Sequence, residues 1–207
     1  MPGETQQPPL QAPPILYKYY PPTRLSIFEE PCLRFTSPAF FNDVLDSYLP
    51  TVKVDNRPLR PPRESIGIFC MASDRDDHLM WVHYAAQHTG FVIGFDTRDT
   101  VFTAQGAVLD HVRYEPVPTP SPIGVRHCFY KGKEWSHERE WRCVRVFAEG
   151  ELRDVSINKA SIREVVVGHA MKPYHVVEMI SNLQNSSDVS LGAIYVDRVS
   201  RYSSGTI

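Results

Sequence analysis

The sequence predicts an α+β domain built on a mixed, largely antiparallel sheet with short helices. Three observations carry that expectation. β-type runs are short and numerous, from Ile15–Tyr20 near the start to Ser190–Val199 near the end. Helix-compatible stretches are few and do not alternate with strands as a doubly wound parallel sheet requires. Thirteen of the 18 prolines fall within the first 62 residues. No long helix can run there, because proline lacks an N–H and clashes with the preceding turn.

Residues 1–14 are rich in Pro and Gln, with almost no apolar anchor, and read as a disordered leader to a single domain over 15–207. Ile15–Tyr20 (ILYKYY) is the first strand, ended by Pro21-Pro22. Thr23–Glu30 fits a short helix, with Thr23 as cap and Pro31 as stop. Cys32–Thr36 is a second strand. Ser37-Pro38 opens a turn into a helical piece holding Phe40, Phe41, Asn42 and Asp43. Residues 50–64, rich in Pro and Arg without hydrophobic periodicity, read as an exposed loop. Ser65–Met71 is a strand, and Asp74–Asp77 offer caps for a helix over His78–Gln87. Phe91–Asp96 and Ala107–Tyr114 are strands, 115–122 a proline loop, and Gly124–Lys133 helical. Glu138–Phe147 alternates as a strand. Glu138, Glu140, Arg142 and Val144 share one face; Arg139, Trp141, Cys143, Arg145 and Phe147 share the other. The chain closes with strand Arg163–Val167, helix Tyr174–Leu183 and strand Ser190–Val199.

The 207 residues suffice to bury a core without disulfide or metal staples. With Lys plus Arg at 22 against Asp plus Glu at 24, the formal charge is −2. That balance argues against a protein that coats duplex nucleic acid, which needs a large basic excess. No apolar run approaches the roughly 20 residues of a membrane span, and no secretory signal opens the chain. Four widely spaced cysteines form no C-x-x-C pair and read as free thiols of a cytoplasmic protein. No metal-ligand spacing occurs, so no metal is expected. P-loop, Rossmann and nucleophile-elbow motifs are all missing.

Four segments could carry chemistry. Glu138-Arg139-Glu140 puts two carboxylates two residues apart, able to approach one substrate group together and to divide acid, base and electrostatic roles. Such a pair suits an oxocarbenium-like transition state, whose positive charge a carboxylate stabilises. A solvated strand of alternating charge would show the same pattern, although Trp135, His137 and Trp141 crowd it. Trp81-Val82-His83-Tyr84 on a helix could sandwich a planar heterocycle, with His83 orienting a ribose or phosphate; a core helix is the plainer alternative. Thr36-Ser37 at a strand end could hydrogen-bond a ribose, and Phe41 and Asn42 follow; capping alone would also explain Ser37 and Asn42. Tyr17, Lys18 and Tyr19 complete the set on the first strand, where packing is the plainer role for the aromatic rings.

Together these segments resemble a widespread bacterial domain family of unknown function. The likeness rests on LYKY (Leu16–Tyr19), FTSPAFFND (Phe35–Asp43), MWVHYAAQHTGFVIGF (Met80–Phe95), KGKEWSHEREWR (Lys131–Arg142) and IREVVVG (Ile162–Gly168). Members commonly carry Arg after the first motif and Pro after FND; here Tyr20 and Val44 stand in those places. The order of the segments is remotely similar to the ADP-ribosyltransferase fold, which implies a split sheet and NAD as substrate. The resemblance implies Glu140 and Glu138 as the catalytic carboxylates. Glu140 would stabilise the oxocarbenium and Glu138 would orient or deprotonate the acceptor. It further implies Lys18, Tyr19, Ser37, Phe41, Asn42, Trp81, His83 and Tyr84 around NAD. The acceptor would be a macromolecule, nucleic acid or protein. The competing expectation is a non-enzymatic nucleotide- or protein-binding module with a pocket of Trp81, His83, Tyr84 and Trp141. A hydrolase or nuclease is the third.

Overall fold

A computed structural model describes residues 11–41, 46, 53–54, 57–58, 61–118, 124–184 and 193–196. Its centre is a seven-stranded sheet in the order β11-β10-β6-β1-β5-β8-β7. These strands are β1 (Ile15–Tyr20), β5 (Ile66–Ala72), β6 (Phe91–Asp96), β7 (Val108–His111), β8 (Glu140–Val146), β10 (Ile162–Val167) and β11 (Ala193–Val196). All neighbours run antiparallel except β10 and β11. Two small ribbons flank it: β2 (Cys32–Arg34) with β9 (Asp154–Ser156), and β3 (Lys53–Val54) with β4 (Arg57–Pro58). The mixed, largely antiparallel α+β class is therefore the observed one.

Strand alternation sorts side chains into two layers. On one side Leu16, Tyr20, Phe69, Met71, Phe91, Ile93, Phe95, Trp141 and Cys143 form the large core. The 3₁₀ turn Pro22–Phe28 and helix α3 (Pro173–Gln184) cover it, contributing Leu25, Ile27, Phe28, Met179 and Leu183. On the other side Tyr19, Ala72, Val92 and Val166 pack against Met80, Trp81 and Ala85 of helix α1 (His78–Tyr84) and the residue after it. A third cluster joins Ile66, Ile68 and Val144 to Cys128 and Phe129. Helix α2 (Thr100–Thr103) lies at the sheet's edge, capped by Asp99.

Several boundaries differ from the expectation. Most helical pieces are short 3₁₀ segments: Pro22–Phe28 (kinked at Arg24), Pro38–Phe40, Gly124–Phe129 and Lys133–Glu138. Thr23 is not the cap of the first, which proline starts instead. The 50–64 segment, read as loop, contains the β3–β4 ribbon. The strand expected from Glu138 starts at Glu140. Helix α1 stops three residues early, because Ala86, Gln87 and His88 all take left-handed φ angles of 48°, 56° and 63°. That turn is wedged between glycines: a Cβ on Gly90 would collide with the Tyr20 carbonyl, and one on Gly168 with the His88 carbonyl. Residues 1–10 of the expected leader lie outside the described residues. Its last part is docked, since Thr97 donates to the carbonyls of Pro13 and Pro14 at 2.7 and 3.1 Å. Among the described residues no helix is long and apolar enough to cross a membrane.

Candidate functional site

The sheet forks at β1 and β5. These strands share one register pair, Tyr17 with Ala72, while β1 pairs with β6 along its whole length. Beyond the fork, Thr36 takes over the free edge of β5 by exchanging backbone hydrogen bonds with Ile68 at 2.9 Å each way. A cavity of about 210 Å³ opens at the fork. Tyr17, Lys18 and Tyr19 of β1 line it on one side, and Ile68, Cys70 and Ala72 of β5 on another. Thr36, Phe40 and Phe41 follow from the 3₁₀ turn region, Met80 and Tyr84 from α1, and Lys131, Trp135, Glu138, Glu140 and Arg142 from β8 and the turn before it.

The two glutamates reach the cavity by a route that alternation does not supply. Glu138 ends a 3₁₀ turn, Arg139 takes a left-handed φ of 44°, and Glu140 opens β8. Both carboxylates are buried. Glu138 accepts from the Tyr84 hydroxyl at 2.7 Å and from the Lys131 ammonium at 2.6 Å. Glu140 accepts from Arg142 Nε and Nη2 at 2.8 and 3.0 Å and from Lys131 at 3.2 Å. Arg142, wholly buried, also donates to both Asp46 oxygens and to the Cys128 carbonyl. The backbone N–H of Glu140 donates to Tyr114 Oη at 2.7 Å.

This cluster sets three buried carboxylates (Asp46, Glu138, Glu140) against two cations (Lys131, Arg142), leaving one formal negative charge. Burial alone would push Glu140 up, but Arg142 and then Lys131 outweigh it and hold its carboxyl down at about 2. Burial works against the Lys131 ammonium as well, yet Glu140 and Glu138 raise it above the ordinary lysine range. Burial pushes the Tyr114 hydroxyl up to about 12. It also raises the Cys70 thiol, the Glu140 charge adding to the effect, so Cys70 is a poor nucleophile.

Of the residues read from the sequence, Lys18, Tyr19, Phe41, Tyr84, Glu138 and Glu140 line this one cavity. Lys18 carries its ammonium 5.3 Å from the centre of the Phe69 ring, and Phe41 lies under Arg142. Ser37 sits one residue beyond the lining Thr36, buried, its Oγ accepting from Ala39 N and donating to the Arg63 carbonyl. Trp81 is fully buried behind the wall, edge-on to Tyr19, with its indole N–H on the Arg75 carbonyl. His83 is exposed on α1. Asn42 and Val44 lie outside the described residues. Tyr20, at the place where the resemblance leads one to expect Arg, packs on Phe91 in the large core and faces away from the site. The four-residue pocket of the binding-module alternative is not formed. Trp141 faces the large core, Trp81 the small one and His83 the surface, because they leave their elements in different directions.

Asp46 carries no sequence signal, since only the tertiary fold brings it to the cluster, whereas Lys131 opens the same KGKEWSHEREWR segment that holds both glutamates. Arg142 was within reach of sequence reasoning, being two residues from Glu140 on one strand face. Among the described residues no group of three or more His, Cys, Asp or Glu is placed to hold a metal ion. All four cysteines are free.

No curated protein and no solved structure matches the chain. Residues 80–143, which hold most of α1, all of β6 and the Glu138–Arg142 wall of the cavity, are similar to the family described as protein of unknown function (DUF2971).

Proposed function

We propose that the cavity binds NAD and that the protein transfers its ADP-ribosyl group to a macromolecular acceptor, nucleic acid or protein, in the cytoplasm. The observation that carries the reading is the convergence of Glu138 and Glu140 with Tyr19, Phe41 and Tyr84 on one cavity at the sheet's fork. The carboxylate pair suits a substrate whose reacting ring is cationic and whose ribose becomes an oxocarbenium. Aromatic side chains offer faces for the nicotinamide ring.

An ionised carboxylate has about four lone-pair positions. Glu140 uses three on Arg142 and Lys131, so it acts on the developing cation through its field. Glu138 uses two, on Tyr84 and Lys131, and keeps capacity for a substrate or acceptor hydroxyl. In the reaction the bond between ribose C1′ and the nicotinamide nitrogen breaks, and the electron pair leaves with nicotinamide. The acceptor nucleophile then bonds to C1′, and its proton passes to Glu138 and on to solvent.

The test is nicotinamide release from NAD by the full chain, with candidate acceptors. Glu138→Gln and Glu140→Gln should each lower release at least about a hundredfold, the usual range for losing a positioned acid–base or electrostatic group. Release unchanged in both variants would overturn the reading. One observation favours a binding module instead: protein groups already partner the carboxylates on both sides. Saturable NAD binding without nicotinamide release would establish that alternative.

A further inference from the structure

We propose that Lys131 is the positioning residue of the carboxylate pair, its single ammonium pinning Glu138 and Glu140 together and keeping both as anions facing the cavity. The inference rests on the reading of the pair as the working carboxylates.

Lys131 is held along its whole length. Its backbone N–H donates to the Arg113 carbonyl at 3.1 Å, and its side chain is 7 % exposed. The ammonium lies 4.8 Å from the centre of the Trp135 ring, a cation–π contact that fixes it from below. It then donates to one oxygen of Glu138 and one of Glu140, with the nearer Asp46 oxygen at 3.8 Å. Two buried carboxylates that approach one point repel, and such pairs retain a proton unless a cation lies between them.

Arg142 does not take over this task. Its donors go to Glu140, Asp46 and the Cys128 carbonyl. Glu138 has one other partner among the described residues, the neutral Tyr84 hydroxyl. Loss of the ammonium therefore leaves Glu140 with its guanidinium and Glu138 with none. The proton that the pair takes up then sits where a free anion is needed to receive the acceptor's proton.

The experiment is a carbon-13 carboxylate NMR titration of the parent chain, Lys131→Met and Lys131→Arg, without NAD. The parent pair should remain ionised from pH 5 to 8. Lys131→Met should show one carboxylate of the pair protonating within that window, an upward displacement of about 2–3 pH units. Lys131→Arg should restore the parent behaviour. A Lys131→Met pair that stays ionised throughout overturns the proposal. Should that variant not fold, the parent decides. Its Lys131 ammonium should give a protected signal with couplings across hydrogen bonds to both Glu138 and Glu140, and coupling to one alone overturns the shared role. None of these readouts needs turnover. A parent that shows them yet releases no nicotinamide overturns only the transferase reading. In an active protein, Lys131→Met should move the acid limb of the pH–rate profile upward with the titration.

Discussion

Arg142 and Asp46, 96 positions apart, form a two-pronged ion pair at 2.8 and 2.6 Å in the wall of the cavity. The guanidinium is fully buried and the aspartate nearly so. Such a pair costs much to desolvate, and removing one partner leaves an uncompensated buried charge. Arg142→Met and Asp46→Asn should each destabilise the fold by about 3–5 kcal/mol. For a chain of this size that is a melting temperature lower by roughly 10 °C. Arg142→Lys should recover little, because a single ammonium cannot span both oxygens of Asp46 and still reach Glu140. Thermal unfolding followed by circular dichroism measures this, and a drop of only a degree or two would mean that the pair is not the keystone of the wall.

The same cluster sets an acid limit on stability. Glu140 is depressed from about 4.5 to about 2 in the folded state. A depressed carboxylate contributes stability above its unfolded value and loses it as pH falls through the folded one. The advantage of the parent over Glu140→Gln should therefore be constant above about pH 4.5 and vanish between there and about pH 2. Lys131 is raised, so its contribution is complete below its ordinary value of 10.5 and declines only at more alkaline pH. Urea unfolding of both chains across acid pH tests the point. A gap that fails to narrow below pH 4 would remove Glu140 as its source.

Much of the sheet was legible because short apolar and aromatic runs bounded by Pro and Gly mark strands directly, and alternation sorts the faces of β8. Phe91–Asp96 and Ile15–Tyr20 appear with their expected bounds, and Glu140, Arg142 and Val144 do leave β8 on one side, away from Trp141 and Cys143. What failed was local backbone that obeys no period. The αL residue Arg139 breaks the strand between the two glutamates, so their shared cavity followed from a kink and not from the alternation that suggested it. The carboxylates' partners were illegible for another reason. Asp46 and Tyr84 are far from them in the chain, and Lys131, though seven and nine residues away, meets them across the 3₁₀ segment Lys133–Glu138, which obeys no strand period.

The left-handed turn after α1 is a site of stored strain. Ala86 is exposed and has a φ of 48°, a region that costs a non-glycine residue about 1–2 kcal/mol. Glycine there should relieve the strain while adding some unfolded-state entropy, for a net gain of about 0.5–1 kcal/mol. Gly90→Ala should do the reverse and more, since its Cβ has no space beside the Tyr20 carbonyl. Denaturant midpoints settle both signs. Should Ala86→Gly destabilise, the turn would be held by something other than backbone compromise.

Tyr84 and Trp81 looked equivalent in the sequence, two aromatic residues on one short helix, yet the structure separates their tasks. Trp81 is core: fully buried, its indole N–H on the Arg75 carbonyl at 2.8 Å. Tyr84 is 36 % exposed and sends its hydroxyl to Glu138. Trp81→Phe should cost about 1–3 kcal/mol, from the space it leaves and the orphaned carbonyl. It should alter NAD-dependent release no more than that loss of folded protein explains. Tyr84→Phe keeps the ring and removes one hydrogen bond to a buried carboxylate, a cost of about 1.5–3 kcal/mol. It should lower release per folded molecule, because Glu138 loses one of the two bonds that aim it. Stability and release measured together on both variants distinguish the roles. If Trp81→Phe lowers release per folded molecule more than Tyr84→Phe does, the working face of α1 is the buried one and the cavity assignment fails.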